Sequence, residues 1–275
     1  MNTPREHRIW TIVRQAYETA KTQRQLWLFG LFAAGAGGVN LKTPGSATPS
    51  WVLYAVIAAS VLGVIALLLH LISEGALIHG TAHSRDGGRT SAVVSFRTGL
   101  KFAPRVAGIK LVTWLATLLS VVVIAAPLGI AAVAGASLVA GAVASLLLGI
   151  VSIPLLLTIH LLGTYALRAA VLEGNGVAQS IRTARQFLAG RIVPSLWLLV
   201  AQALGSSVGS LAAVVVALPI LALGLALYFG VGLVPAVIVG AVLMVPVAVS
   251  VSGAVGTFRS SLWTHLYLAE RIERA

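Results

Sequence analysis

Long stretches without a charged side chain constrain the fold of this chain more than any other feature. One covers residues 51–72, and two longer ones cover residues 111–167 and 192–258. About 20 apolar residues in a helix cross the ~30 Å hydrocarbon core of a bilayer. Hydrocarbon offers the backbone no hydrogen bonds, so a spanning segment is a helix or a strand of a closed barrel. These runs lack the alternation that barrel strands show, so the sequence predicts an all-α integral membrane protein.

The composition agrees with a membrane location and bears on the partners. Of the 275 residues 58% are hydrophobic and only 9% are charged, whereas a soluble domain carries roughly 25% charged residues. The formal net charge of +12 would indicate nucleic-acid binding in a soluble protein. Basic residues beside membrane spans are the ordinary topology signal, so we expect no nucleic-acid partner. The absence of Cys excludes disulfides, thiolate metal sites and Cys nucleophiles.

The apolar stretches predict six transmembrane helices. Residues 111–167 break into two spans at the Gly-Ala-Ser sequence of residues 135–137, and residues 192–258 hold two more. The latter stretch is longer than two spans require, so either its helices are tilted or residues 219–232 form a short outer segment. The sixth candidate, residues 26–39, is short and Gly-rich. We interpret it as a retained span, because the polar region before it is far longer than the basic region of a signal peptide.

The distribution of basic residues predicts the orientation. Six spans place residues 1–25, 83–110, 168–191 and 259–275 on one side of the membrane. Of the 19 Lys and Arg residues only Lys42 falls on the other side. Because basic loops are retained in the cytoplasm during insertion, we expect a multi-pass protein of the cytoplasmic (inner) membrane with both termini in the cytoplasm.

Two regions of the chain resemble each other and indicate an internal repeat. HLI at residues 70–72 matches HLL at residues 160–162, and SFRT at residues 95–98 matches SIRT at residues 180–183. Together with the basic segment near the N-terminus, these matches predict a single membrane domain, residues 1–275, built from three pseudo-repeated hairpins. Each hairpin follows a basic amphipathic helix lying at the membrane interface. The repeat units cover approximately residues 8–82, 91–171 and 177–270.

The basic segments of the second and third units are amphipathic at helical spacing. The predicted apolar faces consist of Val93, Phe96, Leu100 and Ala103 in one and of Val177, Ile181, Ala184 and Leu188 in the other. Such helices lie along the headgroup boundary and offer cations to anionic lipid. We therefore predict anionic headgroups on the cytoplasmic face as partners, with these candidate contact residues: Arg97, Lys101, Arg105, Arg182, Arg185 and Arg191.

Three segments carry a resemblance to a known family. They are RQLWLFGLFAA at residues 24–34, AAVLEGNGVAQSIRTARQFLAGR at residues 169–191 and FRSSLWTHLYL at residues 258–268. In these segments the chain resembles poorly characterised prokaryotic six-span proteins related to the membrane domain of some glycerophosphodiester phosphodiesterases. The chain shows no counterpart of the soluble phosphodiesterase domain. The resemblance therefore implies a lipid-related role and transfers no catalytic residue.

The densest group of ionisable side chains comprises His70, Glu74, His79 and His83. A metal or proton site is conceivable there, but at 100° per residue the last two lie roughly opposite the first two. We interpret the group as anchoring at a cytoplasmic helix end, and we predict neither a metal nor a cofactor. His160 is the main ionisable residue within a span, and we expect it to make a structural hydrogen bond.

The fifth and sixth spans contain small and polar residues with two alternative interpretations. Small residues allow close helix packing, and Ser or Gln can bond across such a contact. The alternative is the lining of a polar cavity. The residues concerned are Gln202, Gly205, Ser206, Gly209, Ser210, Ser250 and Ser252.

The acidic residues argue against catalysis. All seven lie in termini, in loops or at predicted interfaces, and no paired carboxylates or other catalytic group emerges. The sequence therefore predicts a non-catalytic membrane scaffold or lipid-associated partner protein, which would contact membrane lipids and another membrane protein. The alternative is a carrier of a lipid or other amphiphilic small molecule.

Overall fold

The structure is a computed structural model that describes residues 4–33, 50–85 and 91–272. Nearly all of these residues are helical, and no strand occurs among them. A turn of 3₁₀ helix, Arg24–Leu26, separates the first two α-helices. The helices are α1 (Pro4–Thr22), α2 (Trp27–Ala33), α3 (Ser50–Arg85), α4 (Ala92–Val133), α5 (Leu138–Leu172), α6 (Val177–Leu188), α7 (Ile192–Gly230) and α8 (Leu233–Ile272). The all-α prediction is confirmed for the described residues.

Five helices, α3, α4, α5, α7 and α8, are long and apolar enough to cross a membrane. Large apolar side chains project outward along them, as Leu62 (65% exposed), Leu119 (67%) and Leu211 (65%) illustrate. Water would hydrate this surface at a high free-energy cost, whereas lipid chains match it. The protein is therefore a multi-pass membrane protein.

The predicted sixth span falls partly outside the described residues. Of residues 26–39, the structure describes Leu26, at the end of the 3₁₀ turn, and the seven-residue helix α2. Residues 34–39 lie outside the described ranges. The choice between a retained span and a signal peptide stays a prediction.

The connections from α4 to α5 and from α7 to α8 are short turns. The predicted break at residues 135–137 is confirmed: Gly135 has φ of +65°, and the Ser137 hydroxyl caps α5 by accepting a hydrogen bond from the Ala140 N–H. At the other turn Gly232 has φ of +114°. The proposed outer segment at residues 219–232 is absent, since α7 runs through Pro219 without interruption to Gly230.

The predicted interfacial helix of the second repeat unit is not a separate element. Residues 92–105 continue into the span as one helix of 42 residues, with Pro104 inside it. We attribute the continuity to Val106 and Ile109, which are fully buried and give the helix a packing face beyond the proline. In the third unit α6 is a separate helix of 12 residues, as predicted.

The face of α4 that packs against the protein is not the predicted apolar face, which the sequence assigns to lipid. Val93 and Leu100 are exposed, whereas Ser95 and Gly99 are buried. A Cβ on Gly99 would overlap the Ile72 carbonyl oxygen of α3. Close backbone approach to α3 therefore selects the small-residue face, and periodicity of apolar residues alone does not reveal it.

The chain divides into two compact bodies. The first comprises Met1–Ala103 and Leu196–Ala275, and the second comprises Pro104–Ser195. Leu26, Phe29, Ala76 and Leu77 form a buried cluster in the first body. In the second body α5 and α6 pack together. The repeat is a relation within the sequence, and its three units stay a prediction.

Candidate functional site

Helix α6 of the second body is held by a polar contact just before its first turn. The Nη1 of Arg105 on α4 donates to the carbonyl oxygen of Gly174, over 2.7 Å. Gly174 has φ of +69°, a conformation that favours glycine. Asn175 Nδ2 donates to the Glu173 carboxylate over 2.8 Å. The turn between α5 and α6 is therefore fixed by hydrogen bonds, and Arg105 is engaged within the protein.

Aromatic contacts hold the other end of α6. The buried ring of Phe187 lies 4.8 Å from that of Tyr165 on α5, centroid to centroid. The Arg191 guanidinium lies 4.9 Å from the centroid of the Phe187 ring, which is within cation–π range. The Tyr165 hydroxyl is 2.7 Å from the hydroxyl of Ser195. Arg191, like Arg105, is therefore partly engaged by the protein itself.

Two arginines project from the opposite side of α6. Arg182 and Arg185 are exposed, whereas Ser180, Ala184 and Leu188 are buried. The two arginines are three residues apart and are neighbours on the helix surface. We call them the α6 basic surface.

A similar surface lies at the start of α4 in the first body. Arg97 and Lys101 are exposed and four residues apart, and they form the α4 basic surface. Lys101 Nζ lies 5.8 Å from the centroid of the Phe102 ring. The exposed side chains of Val93 and Leu100 stand beside these cations. Such a mixture of apolar and cationic groups suits the boundary between hydrocarbon and headgroups.

Carboxylates of the described residues do not neutralise these basic surfaces. Glu18 pairs with Arg14 at 3.0 Å, and the Glu74 carboxylate lies 4.0 Å from His70. Glu270 is 8% exposed and therefore buried. Within the described ranges no ion pair joins a carboxylate to either basic surface. Among the described residues, therefore, the positive charge of each surface is not paired with a carboxylate.

The histidine group divides as the helical spacing predicts. His70 Nδ1 donates to the Phe32 carbonyl oxygen over 2.6 Å, while its Nε2 faces Glu74. His79 and His83 stack on each other, with centroids 6.4 Å apart. The described residues contain no group of three or more side chains able to hold a metal ion. His160 is exposed on α5, so it is not part of the buried core of the protein.

The small residues of α7 lie against α8. A Cβ on Gly205 would overlap the Phe258 ring, and a Cβ on Gly209 would overlap the Val255 side chain. Gln202 Oε1 accepts a hydrogen bond from the indole N–H of Trp263. This geometry favours helix packing at these three positions of α7.

The predicted serines do not gather around a described cavity. Ser206 and Ser252 are half-buried, whereas Ser210 and Ser250 are exposed. A cleft of ≈ 480 Å³ does lie between α7 and α8, but it sits near their connecting turn. Apolar residues dominate its lining, which includes Leu221, Gly224, Tyr228, Val237 and Gly240.

A buried row of polar groups on α8 was missed at the sequence level. The Thr257 hydroxyl donates to the Leu26 carbonyl oxygen over 3.1 Å. The Ser261 hydroxyl lies 3.2 Å from that of Thr81 on α3. His265 Nε2 lies 3.2 Å from the hydroxyl of Thr19 on α1. The spacing of four residues from 257 to 261 to 265 is the sequence signal that would have placed all three on one helix face.

Comparison of the chain with family models, with curated proteins and with solved structures finds no match. The resemblance to the membrane domain of glycerophosphodiester phosphodiesterases therefore stays a prediction.

Proposed function

We propose that this protein is a non-catalytic membrane scaffold whose basic surfaces on α4 and α6 bind anionic lipid headgroups and through them organise another membrane protein. The observation that carries the proposal is the α6 basic surface. Arg182 and Arg185 are exposed without an ion-pair partner among the described residues, on a helix fixed at both ends. Because the helix is fixed, binding through its cations does not carry the cost of ordering the backbone.

The divided roles of the six predicted contact residues support the same conclusion. Arg105 and Arg191 position α6 through Gly174 and Phe187, respectively. Arg182 and Arg185 are left to face outward. The carrier alternative receives less support, because Gly205 and Gly209 contact α8 rather than open space.

Charge reversal of the α6 basic surface tests the proposal. Arg182→Glu with Arg185→Glu is compared with the wild type after reconstitution into nanodiscs of phosphatidylcholine and phosphatidylglycerol. Juxtamembrane cations contribute about 1 kcal/mol each, so we expect phosphatidylglycerol enrichment around the protein to fall about fivefold per charge removed. Gln179→Ala with Gln186→Ala, which changes exposed uncharged residues of α6, is the matched control. Unchanged enrichment in a folded charge-reversed variant refutes the proposal.

The topology belongs to the same proposal. In it, residues 26–39 are a retained sixth span, both termini are cytoplasmic, and three hairpin repeats share one orientation in the inner membrane. The support is the charge distribution, in which only Lys42 lies on the outer side.

Because the chain has no native Cys, single cysteines introduced at Ser46, Ser84 and Gly176 test this topology by side-specific labelling. We expect only the first to react from outside. A mature chain that begins near residue 39 would replace the span with a signal peptide.

We also propose kinship with the membrane domain of glycerophosphodiester phosphodiesterases. Its support is the three segments quoted above, of which the second contains α6. An experimental structure of such a membrane domain with a different order of long and short helices would contradict the kinship.

A further inference from the structure

One face of helix α1 is buried against the rest of the protein. Ile12, Ala16, Thr19 and Ala20 are buried, and α1 packs against α8. The Thr19 hydroxyl lies 3.2 Å from Nε2 of His265, which is 3% exposed. An ordinary interfacial helix inserts its apolar face into lipid. In α1 that face is occupied, so any membrane contact falls to the outward side.

The outward side of α1 carries two rows of different chemistry. One row, which we call the aromatic-basic row, places Trp10, Arg14, Tyr17 and Lys21 at spacings of four, three and four residues. These side chains lie within about 60° of one another around the helix axis. A second row follows about 100° further round, and it contains uncharged polar residues and one acid: Thr11, Gln15, Glu18 and Thr22.

The chemistry of the first row matches a membrane–water interface. Trp10 is 70% exposed and Tyr17 is 60% exposed. Rings with one polar atom partition to headgroup depth. A basic side chain beside them, such as Lys21, places its charge among phosphates, whereas Arg14 of this row pairs with Glu18 of the second row at 3.0 Å. The neighbouring row has the polar character of a surface that faces water.

The attachment of α1 fixes it beside membrane-length helices. The indole N–H of Trp27 on α2 donates to the Ala20 carbonyl oxygen over 2.7 Å. A Cβ on Gly30 of α2 would overlap the Gly253 carbonyl oxygen of α8, so the two backbones are in close contact. Helix α1 is thus joined to an apolar span both directly and through α2.

We infer that the aromatic-basic row of α1 is a membrane-interface binding surface for anionic phospholipid, with the rings of Trp10 and Tyr17 at headgroup depth. The surface is independent of the α4 and α6 basic surfaces. With this surface at the membrane, the second row, which contains Thr11, Gln15, Glu18 and Thr22, faces water.

Two environment-sensitive labels test the inference in the full chain. Tyr17→Cys and Gln15→Cys each provide the single thiol of the protein, because the chain has no native Cys. Each variant is labelled with a nitrobenzoxadiazole probe and placed in nanodiscs of phosphatidylcholine, with or without phosphatidylglycerol. We expect blue-shifted emission at position 17, quenched by lipids that carry a spin label near the headgroup. The label at position 15 is expected to emit as in water.

Additional variants separate this surface from the proposed function. Arg14→Gln with Lys21→Gln is expected to weaken the quenching at position 17 in phosphatidylglycerol nanodiscs, since the attraction between these basic side chains and the anionic headgroups is removed. Arg182→Glu with Arg185→Glu is expected to leave that quenching unchanged, because those residues lie on another surface. Water-like emission at position 17 in both nanodisc types, or equal quenching at positions 15 and 17, overturns the inference. Neither result bears on lipid enrichment by the α6 basic surface.

Discussion

The guanidinium of Arg105 donates a hydrogen bond to the carbonyl oxygen of Gly174, so a residue early in α4 holds the turn that leads into α6. The two residues are 69 positions apart in the chain. Arg105, which the sequence predicts to contact lipid headgroups, therefore also positions the helix that carries the outward arginines Arg182 and Arg185.

Loss of this contact is expected to loosen α6 without removing it. Arg105→Ala deletes a charged hydrogen bond, and because the contact is exposed we expect a loss of about 1 kcal/mol in the free energy of unfolding. Hydrogen exchange should accelerate in residues 174–188 and not in α8. Arg97→Ala, which removes an exposed arginine without a described protein contact, is the control. Equal exchange in the two variants would mean that the Gly174 contact does not hold the turn.

The approach of α7 to α8 predicts opposite effects for two glycine substitutions. Gly205→Ala places a methyl group against the Phe258 ring, and such overpacking costs about 1–3 kcal/mol. Gly240→Ala meets nothing within 4 Å and gains helix propensity, so it should be neutral or stabilising. Thermal unfolding in detergent, followed by circular dichroism, measures both.

A second substitution checks the cause of the Gly205 effect. Phe258→Leu in the Gly205→Ala background removes part of the ring that the methyl group meets. We expect this double variant to recover stability relative to Gly205→Ala alone. No difference between Gly205→Ala and Gly240→Ala would instead show that α7 and α8 do not meet at this position.

The contact between α2 and α8 is expected to tolerate an added side chain even less than the contact between α7 and α8. A Cβ on Gly253 would overlap the Trp27 carbonyl oxygen, and backbone atoms cannot move aside as side chains do. Gly253→Val should therefore strongly reduce the amount of folded protein in the membrane. Gly63→Val in α3, where nothing lies within 4 Å, is the matched control. Equal accumulation of the two variants, measured by fluorescence-detected gel filtration, would contradict the α2–α8 contact.

Local signals predicted the elements that depend on local sequence. The turn at residues 135–137 was predicted from a Gly-Ala-Ser sequence, and the structure has a glycine of positive φ and a serine cap there. The separate helix α6 was predicted from the amphipathic spacing of its segment. The continuous α4 was missed because its basic amphipathic segment, which matches that of the third unit, suggested a separate interfacial helix. Whether a helix ends there depends on how it packs in the fold. Val106 and Ile109 are fully buried, and the helix continues through them.

The candidate site was predictable only in part, because helical spacing shows which side chains share a face but not which distant groups they contact. Helical spacing separates Arg182 and Arg185 from the buried face of α6. It does not reveal that Arg105 bonds to Gly174 or that Arg191 lies over Phe187 of the preceding helix. The first of these contacts joins distant parts of the chain, and the second requires a particular helix end, so neither follows from the composition of a basic segment.

The hydroxyl of Thr257 carries the last prediction, because it is fully buried and its only described acceptor is the Leu26 carbonyl oxygen. Thr257→Val keeps the shape and removes the donor, leaving a carbonyl at the end of the 3₁₀ turn without this hydrogen bond. The expected loss is about 1–3 kcal/mol. Thr158→Val removes an exposed hydroxyl that bonds within its own helix, to the Pro154 carbonyl oxygen, and should cost far less. Thermal unfolding of both variants in detergent checks this difference. Equal unfolding temperatures would place the Thr257 hydroxyl in contact with water or lipid rather than in the junction of α2 and α8.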